Sequence, residues 1–159
     1  MTTEEKQKRY SEVLRSITAL IDGEDDAIAV MATVVCELHR AFDFFHWTGF
    51  YRHTMPAVLK VGPYQGSHGC LTIPFEKGVC GRAAREKKTQ IVADVRATPY
   101  HIACSAETRS EIVVPVLDKK DNLCAVLDID SNIPEVFDAV DREQLEKLAD
   151  LLRDKFPCV

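Results

Sequence analysis

No stretch of this chain approaches the ~18 consecutive apolar residues of a membrane-crossing helix, so no membrane partner is expected. The polar, mixed-charge opening from Met1 to Arg9 has no apolar run behind it, which leaves nothing to read as a secretory leader. Cys158 stands next to the last residue, so the four-residue prenylation motif is missing as well. Concentrated basic charge is also scarce. Lys and Arg number 20 against 25 Asp and Glu, a net charge of −5. The short clusters, Lys119-Lys120 and Arg85 to Lys88 with Glu86 inside it, read as solvated surface rather than a phosphate-binding face, and nucleic acid is excluded as the main partner. Internal repeats, low-complexity tracts and linkers are absent too. From these absences a cytoplasmic globular protein is expected.

At 159 residues the chain has the length of one domain, taken here as 1–159. Apolar residues make up 46%, enough for a sizeable core. Tyr10, Val13, Leu14, Ile17 and Leu20-Ile21 have the spacing of an amphipathic helix. A second helix, about Asp25 to Phe42, is apolar nearly all round and is expected to lie sandwiched in the core. Strands are predicted at Trp47 to His53, Ala57 to Val61, Cys70 to Ile73 and Thr89 to Ala93, with a short helix at Gly78 to Lys87. Asp94 to Ser110 shows neither period, and long irregular loops in compact domains are usually functional. Glu111 to Leu117 and Leu123 to Asp130 form a hairpin. A closing helix starts near Asp138 with a core stripe at Leu145, Leu148, Leu152 and Phe156. The pattern predicts an α+β domain, an antiparallel sheet with helices packed mainly on one side.

Alternation along Leu123 to Asp130 places Leu123, Ala125, Leu127 and Ile129 on one face, and Cys124, Val126, Asp128 and Asp130 on the other. Carboxylates two residues apart on one face lie roughly 6–7 Å apart and raise each other's proton affinity. A carboxyl kept protonated at neutral pH is a ready proton donor. The plainer reading is a strand whose polar end meets solvent. Glu111 opens the neighbouring strand and can join the pair.

Six cysteines are present, and a reducing compartment disfavours a permanent disulfide framework. Cys36 and Cys124 lie within apolar patterns and read as small core hydrophobes; Cys158 reads as a frayed terminal residue. Cys70, Cys80 and Cys104 lie in or beside turns. A zinc site from these three with His68 or His101 lacks the close Cys-x-x-Cys knuckle, so no metal is expected. Thiol redox chemistry, in which one cysteine becomes sulfenic acid and a second resolves it to a disulfide, fits equally with three unrelated thiols on residue grounds alone.

The blocks Gly62-Pro63-Tyr64-Gln65-Gly66, Cys70, Gly78-Val79-Cys80-Gly81, His101-Ile102-Ala103-Cys104, Ser110-Glu111-Ile112-Val113-Val114-Pro115 and Val126-Leu127-Asp128-Ile129-Asp130-Ser131 resemble, in order, the free methionine-(R)-sulfoxide reductases. The resemblance runs from about Trp47 to Ser131 and implies a GAF-type fold. It implies Cys104 as the nucleophile, Cys70 as the resolving cysteine and Cys80 as a second resolving or relay thiol. It also implies Glu111, Asp128 and Asp130 as the pocket acids and Trp47 and Tyr51 as an aromatic wall. Free methionine sulfoxide is the implied substrate and a thioredoxin-like dithiol protein the implied reductant. No metal or organic cofactor is required, and a homodimer is compatible with the resemblance. The departures are the extra cysteines 36, 124 and 158 and the residues Ser67-His68-Gly69. The competing reading is a ligand- or redox-sensing GAF module without turnover. The acid cluster argues against a phosphate ligand for such a module.

Overall fold

Helix α1 (Thr3–Leu20) starts where the Thr2 hydroxyl accepts the Glu5 backbone N–H and the Glu5 carboxylate accepts the Thr2 N–H, two orphan donors satisfied at once. Its buried stripe is Tyr10, Val13 and Ile17. Helix α2 (Ala27–Ala41) is capped by Asp26, whose carboxylate accepts the Ala29 N–H at 2.8 Å. The structure is a computed structural model and describes residues 1–97 and 106–158.

Among the described residues, six strands form one antiparallel sheet in the order β3-β2-β1-β6-β5-β4. They are β1 (Trp47–Met55), β2 (Val58–Gln65), β3 (Thr72–Pro74), β4 (Gln90–Val92), β5 (Ser110–Leu117) and β6 (Leu123–Ser131). Between β3 and β4 lies helix α3 (Gly78–Glu86), and helix α4 (Ala139–Leu151) closes the order. Helices α2 and α4 pack on one face of the sheet with α1 against both, while α3 packs on the other against β5 and β6. This is the expected α+β arrangement, helices mainly on one side.

Two cores result, divided by the sheet. The larger gathers Tyr10, Leu38, Phe42, Phe50, Leu127, Ile129, Leu145 and Leu148 with their neighbours. Each such fully buried side chain contributes ~1.5–3 kcal/mol of transfer free energy. The smaller, under α3, holds Trp47, Tyr51, Leu59, Val79, Cys80, Val113 and Val126. The predicted stripe Leu145, Leu148, Leu152 and Phe156 is buried, though α4 ends at Leu151 and Phe156 reaches Phe50 from the tail, ring centroids 5.3 Å apart.

Several local expectations are corrected. Helix α2 does lie between α1 and the sheet, but only Val30, Met31, Val34, Val35 and Leu38 are buried, and Ile28 is exposed. Cys70 falls before β3 rather than within a strand. The alternation expected for Leu123 to Asp130 breaks at its start. A register shift lies where Val116 pairs with Ala125 and Leu117 with Leu123, so Cys124 is the extra residue of a β-bulge. Cys124 therefore joins the larger core with Ala125, Leu127 and Ile129, away from Asp128 and Asp130, and Leu123 turns to the smaller core. Nor is Cys158 frayed: it is disulfide-bonded to Cys124.

One feature of the core has no counterpart in the apolar pattern. Lys6 is buried, and its Nζ donates to Asp141 at 2.5 Å, to Asp138 at 2.9 Å and to the Val136 carbonyl at 3.2 Å. The Tyr10 hydroxyl donates to Asp141 at 2.8 Å. The network pins α1 to the first turn of α4.

Candidate active site

The α3 face of the sheet carries the acids. On β6, Asp128 and Asp130 point the same way, as alternation predicts beyond the bulge. Glu111 on β5 pairs directly with Asp130, and Val113 with Asp128. On the other flank, β1 sets Trp47 opposite Asp130 and Gly49 opposite Asp128. Glu111 and Asp128 are buried. Helix α3 closes over them, bringing Cys80 Sγ and oxygens of Glu111 and Asp128 within 4.8 Å of one another. These three could surround a metal ion geometrically, but the same groups make a hydrogen-bonded acid cluster.

Burial holds the Asp128 carboxyl well above the ordinary carboxylate range, and the charges of Asp130 and Glu111 push it further the same way. Asp130 is raised by burial and then by Glu111. The Cys80 thiol, free and buried, is also lifted, first by burial and then by Asp128, Glu111 and Asp130. It stays a thiol and hydrogen-bonds the Asp128 carboxyl, while Asp128 also hydrogen-bonds Glu111. Crowding Asp128 and Asp130 out of water, close to like charge, favours their protonated forms. Asp128 Oδ1 is buried without a hydrogen-bond partner among the described residues.

The aromatic wall is larger than the two rings read from the sequence. Trp47 and Tyr51 lie on one face of β1 and stack with centroids 5.6 Å apart. Tyr64 of β2 also stacks with Trp47, at 5.3 Å and 19°. Tyr64 pairs with Gly49 across the strands, and only a glycine leaves space there: a Cβ at Gly49 would stand 2.4 Å from the indole. The Trp47 indole N–H donates to the Ser67 carbonyl at 2.9 Å. Gly69 lies so close that a Cβ would meet both Trp47 and the Tyr51 hydroxyl at 2.9 Å. Segment 66–70 is thus laid on the aromatic wall, and the Cys70 backbone N–H hydrogen-bonds the Tyr51 oxygen. Cys70, at the end of that segment, is disulfide-bonded.

Of the eight predicted site residues, seven are described, and all seven lie on this face or at its edge. Trp47, Tyr51, Glu111, Asp128, Asp130 and Cys80 converge, and Cys70 is fixed beside Tyr51. The eighth, Cys104, lies outside the described residues, as does His101. Tyr64 was missed as a wall residue; the signal was available in its place within the Gly62 to Gly66 block, on a strand facing Gly49.

A GAF domain family model matches residues 22–154. A relative from Dictyostelium discoideum, GAF domain-containing protein A, is 42% identical over 147 residues and covers 92% of each chain. The fold and site are those of a GAF-domain protein. A Saccharomyces cerevisiae relative, free methionine-R-sulfoxide reductase, is 40% identical over 153 residues, covering 92% of this chain and 85% of its own. The solved structure of the free methionine-R-sulfoxide reductase from Neisseria meningitidis in complex with its substrate superposes with a TM-score of 0.91, at 40% identity, covering 98% of this chain and 93% of the other. The chain belongs to the free methionine-R-sulfoxide reductase family and is an oxidoreductase.

Proposed function

We propose that this protein reduces free L-methionine-R-sulfoxide to methionine at the acid-lined face under α3, with Cys104 as nucleophile. The observation that carries the reading is the acid triad beside the Trp47 wall, Asp128 and Glu111 buried and Asp130 half-buried. Sulfoxide oxygen is a poor leaving group until it is protonated. A neutral Asp128 with an unsatisfied Oδ1 is suited to donate that proton, and Glu111 and Asp130 to hold the substrate's ammonium. The Trp47 face offers a seat for the methyl group.

The Cys104 thiolate attacks the sulfur as Asp128 protonates the oxygen. The Cys104–sulfur adduct that forms carries the hydroxyl; the hydroxyl then passes to Cys104 Sγ as both the S–O bond and the new S–S bond break, so methionine leaves and Cys104 is left as sulfenic acid. The Cys70 thiol then displaces that oxygen as water and forms the Cys70–Cys104 disulfide. The disulfide-bonded state of Cys70 supports this pairing. A thioredoxin-like dithiol protein returns two electrons and two protons by exchange. Cys80 serves as a reserve resolving thiol, since its buried, protonated state makes it the weaker nucleophile. No metal or organic cofactor enters the sequence of steps. We further propose that residues 1–159 act as one domain in the cytoplasm and that a homodimer is compatible with activity.

The test is substrate discrimination with dithiothreitol as reductant. Turnover is expected with free L-methionine-R-sulfoxide, and loss of ~10²-fold or more with the N-acetylated substrate, whose ammonium is gone. Equal rates on both would overturn the assignment of the acids to the ammonium.

A further inference from the structure

We propose that Cys124 and Cys158 form a second, non-catalytic thiol–disulfide site, a latch that fixes the C-terminal tail against the helical face of the sheet. The two are bonded, with Cα atoms 4.3 Å apart and a sequence separation of 34. The sheet separates them from the acid cluster: Cys124 belongs to the core under α1, α2 and α4, whereas Asp128 and Cys80 face α3.

The bulge at the start of β6 makes the bond reachable. In an unbroken strand Cys124 would share the face of Asp128 and could not meet the tail. The extra residue turns its side chain to the helical side, where the tail after α4 returns. That tail is already anchored by Phe156 on Phe50 and by Lys155 Nζ on the Glu24 carbonyl at 2.7 Å. Beside the bond lies a cavity of about 350 Å³, lined by Ala27, Met31, His53, Cys124 and Pro157 among others. Closing the latch seats Pro157 as one wall of this cavity. Cys36 and Cys80 stay free thiols in the same structure, so the pairing is selective.

The chemistry needs a hydroperoxide as oxidant. Cys158 is half-buried and Cys124 buried, so Cys158 reacts first. Its thiolate takes an oxygen from hydrogen peroxide, becoming sulfenic acid as hydroxide leaves and takes up the proton the thiol had released. The Cys124 thiol then attacks the Cys158 sulfur and expels a second water. A dithiol reductant reverses the bond by exchange, becoming a disulfide itself. Because the link closes a long loop, its gain lies in restricting the unfolded chain. The oxidised protein is therefore the more heat-resistant form, under the conditions that also generate sulfoxides.

The test is a non-reducing tryptic map of protein first reduced, freed of reductant, then treated with hydrogen peroxide. Cleavage after Lys120, Arg142 and Lys155 isolates the two cysteines on separate peptides, 121–142 and 156–159. A disulfide-linked pair of these peptides is expected after oxidation and none after dithiothreitol. The melting temperature should rise by about 5–10 °C on oxidation. In Cys158→Ser that rise should shrink by at least half, with turnover within twofold of wild type. Absence of the linked peptides overturns the proposal, as does an undiminished rise in Cys158→Ser.

Discussion

Asp130 on β6 lies directly across from Glu111 on β5, with Trp47 as its partner on the opposite flank. Two residues along the same face, Asp128 faces Gly49 and Val113. Like charges in cross-strand pairs destabilise a sheet, and burial makes the repulsion worse. A fold that keeps these acids under one helix raises the proton affinity of Asp128 well above that of an ordinary carboxylate. That proton affinity is what sulfoxide reduction needs.

Asp128→Asn removes the transferable proton and keeps the shape. We expect kcat to fall by ~10²–10⁴-fold, the usual scale of general acid catalysis, with circular dichroism unchanged. Steady-state kinetics at neutral pH checks this. A loss under tenfold would move the donor role to Asp130 or Glu111.

The same substitution changes stability against pH. Asp128 holds its proton more tightly folded than unfolded, so in the window above the unfolded carboxylate value of about 4 the native state binds more protons. Stability then falls as pH rises from about 4 toward the folded value. Asp128→Asn has no such proton to lose. Its denaturation midpoint should fall less steeply than wild type over this window, and at neutral pH it should be the more stable protein. Urea unfolding at several pH values measures the difference, and parallel curves would contradict the assignment.

Trp47→Phe keeps a ring beside Tyr51 and Tyr64 but loses the hydrogen bond to Ser67. A single bond of this kind is worth ~1 kcal/mol. The expected outcome is a KM raised about fivefold, with kcat changed less. Gly69→Ala should do more harm, since its Cβ would meet both Trp47 and Tyr51 at 2.9 Å.

Lys6→Met tests the buried network between α1 and α4. It removes the cation and leaves Asp141 buried with the Tyr10 hydroxyl still donating. Breaking one partner of a buried pair costs ~3–5 kcal/mol. Chemical denaturation should show that loss, while specific activity well below the melting temperature stays near wild type because the network lies on the far side of the sheet.

Much of this was legible in the sequence because period and residue type agreed. Strand β6 alternates beyond its bulge, α4 carries its stripe, and Asp138 with Asp141 marks a helix start that the structure makes a reciprocal cap. The convergence of Asp128, Asp130, Glu111 and Trp47 follows from alternation once the strands are neighbours. The misreadings have one physical source, contacts that no local period encodes. A bulge at Cys124 inverts the face of one residue, and nothing in Leu123-Cys124-Ala125 announces it. The burial of Lys6 depends on acids 132 and 135 positions away. Tyr64 becomes a wall residue because β2 pairs with β1 in one register, which sets it over Gly49.

The most direct test of the central claim is multiple-turnover reduction of free L-methionine-R-sulfoxide with excess dithiothreitol, comparing wild type with Cys104→Ser and Cys70→Ser. The account predicts many methionines per wild-type chain, none above background for Cys104→Ser, and activity in Cys70→Ser that the small dithiol sustains but a thioredoxin-like protein supports only at the slower rate set by Cys80. Folded, reduced wild type without turnover, or a fully active Cys104→Ser, would contradict it and point to a sensing domain instead.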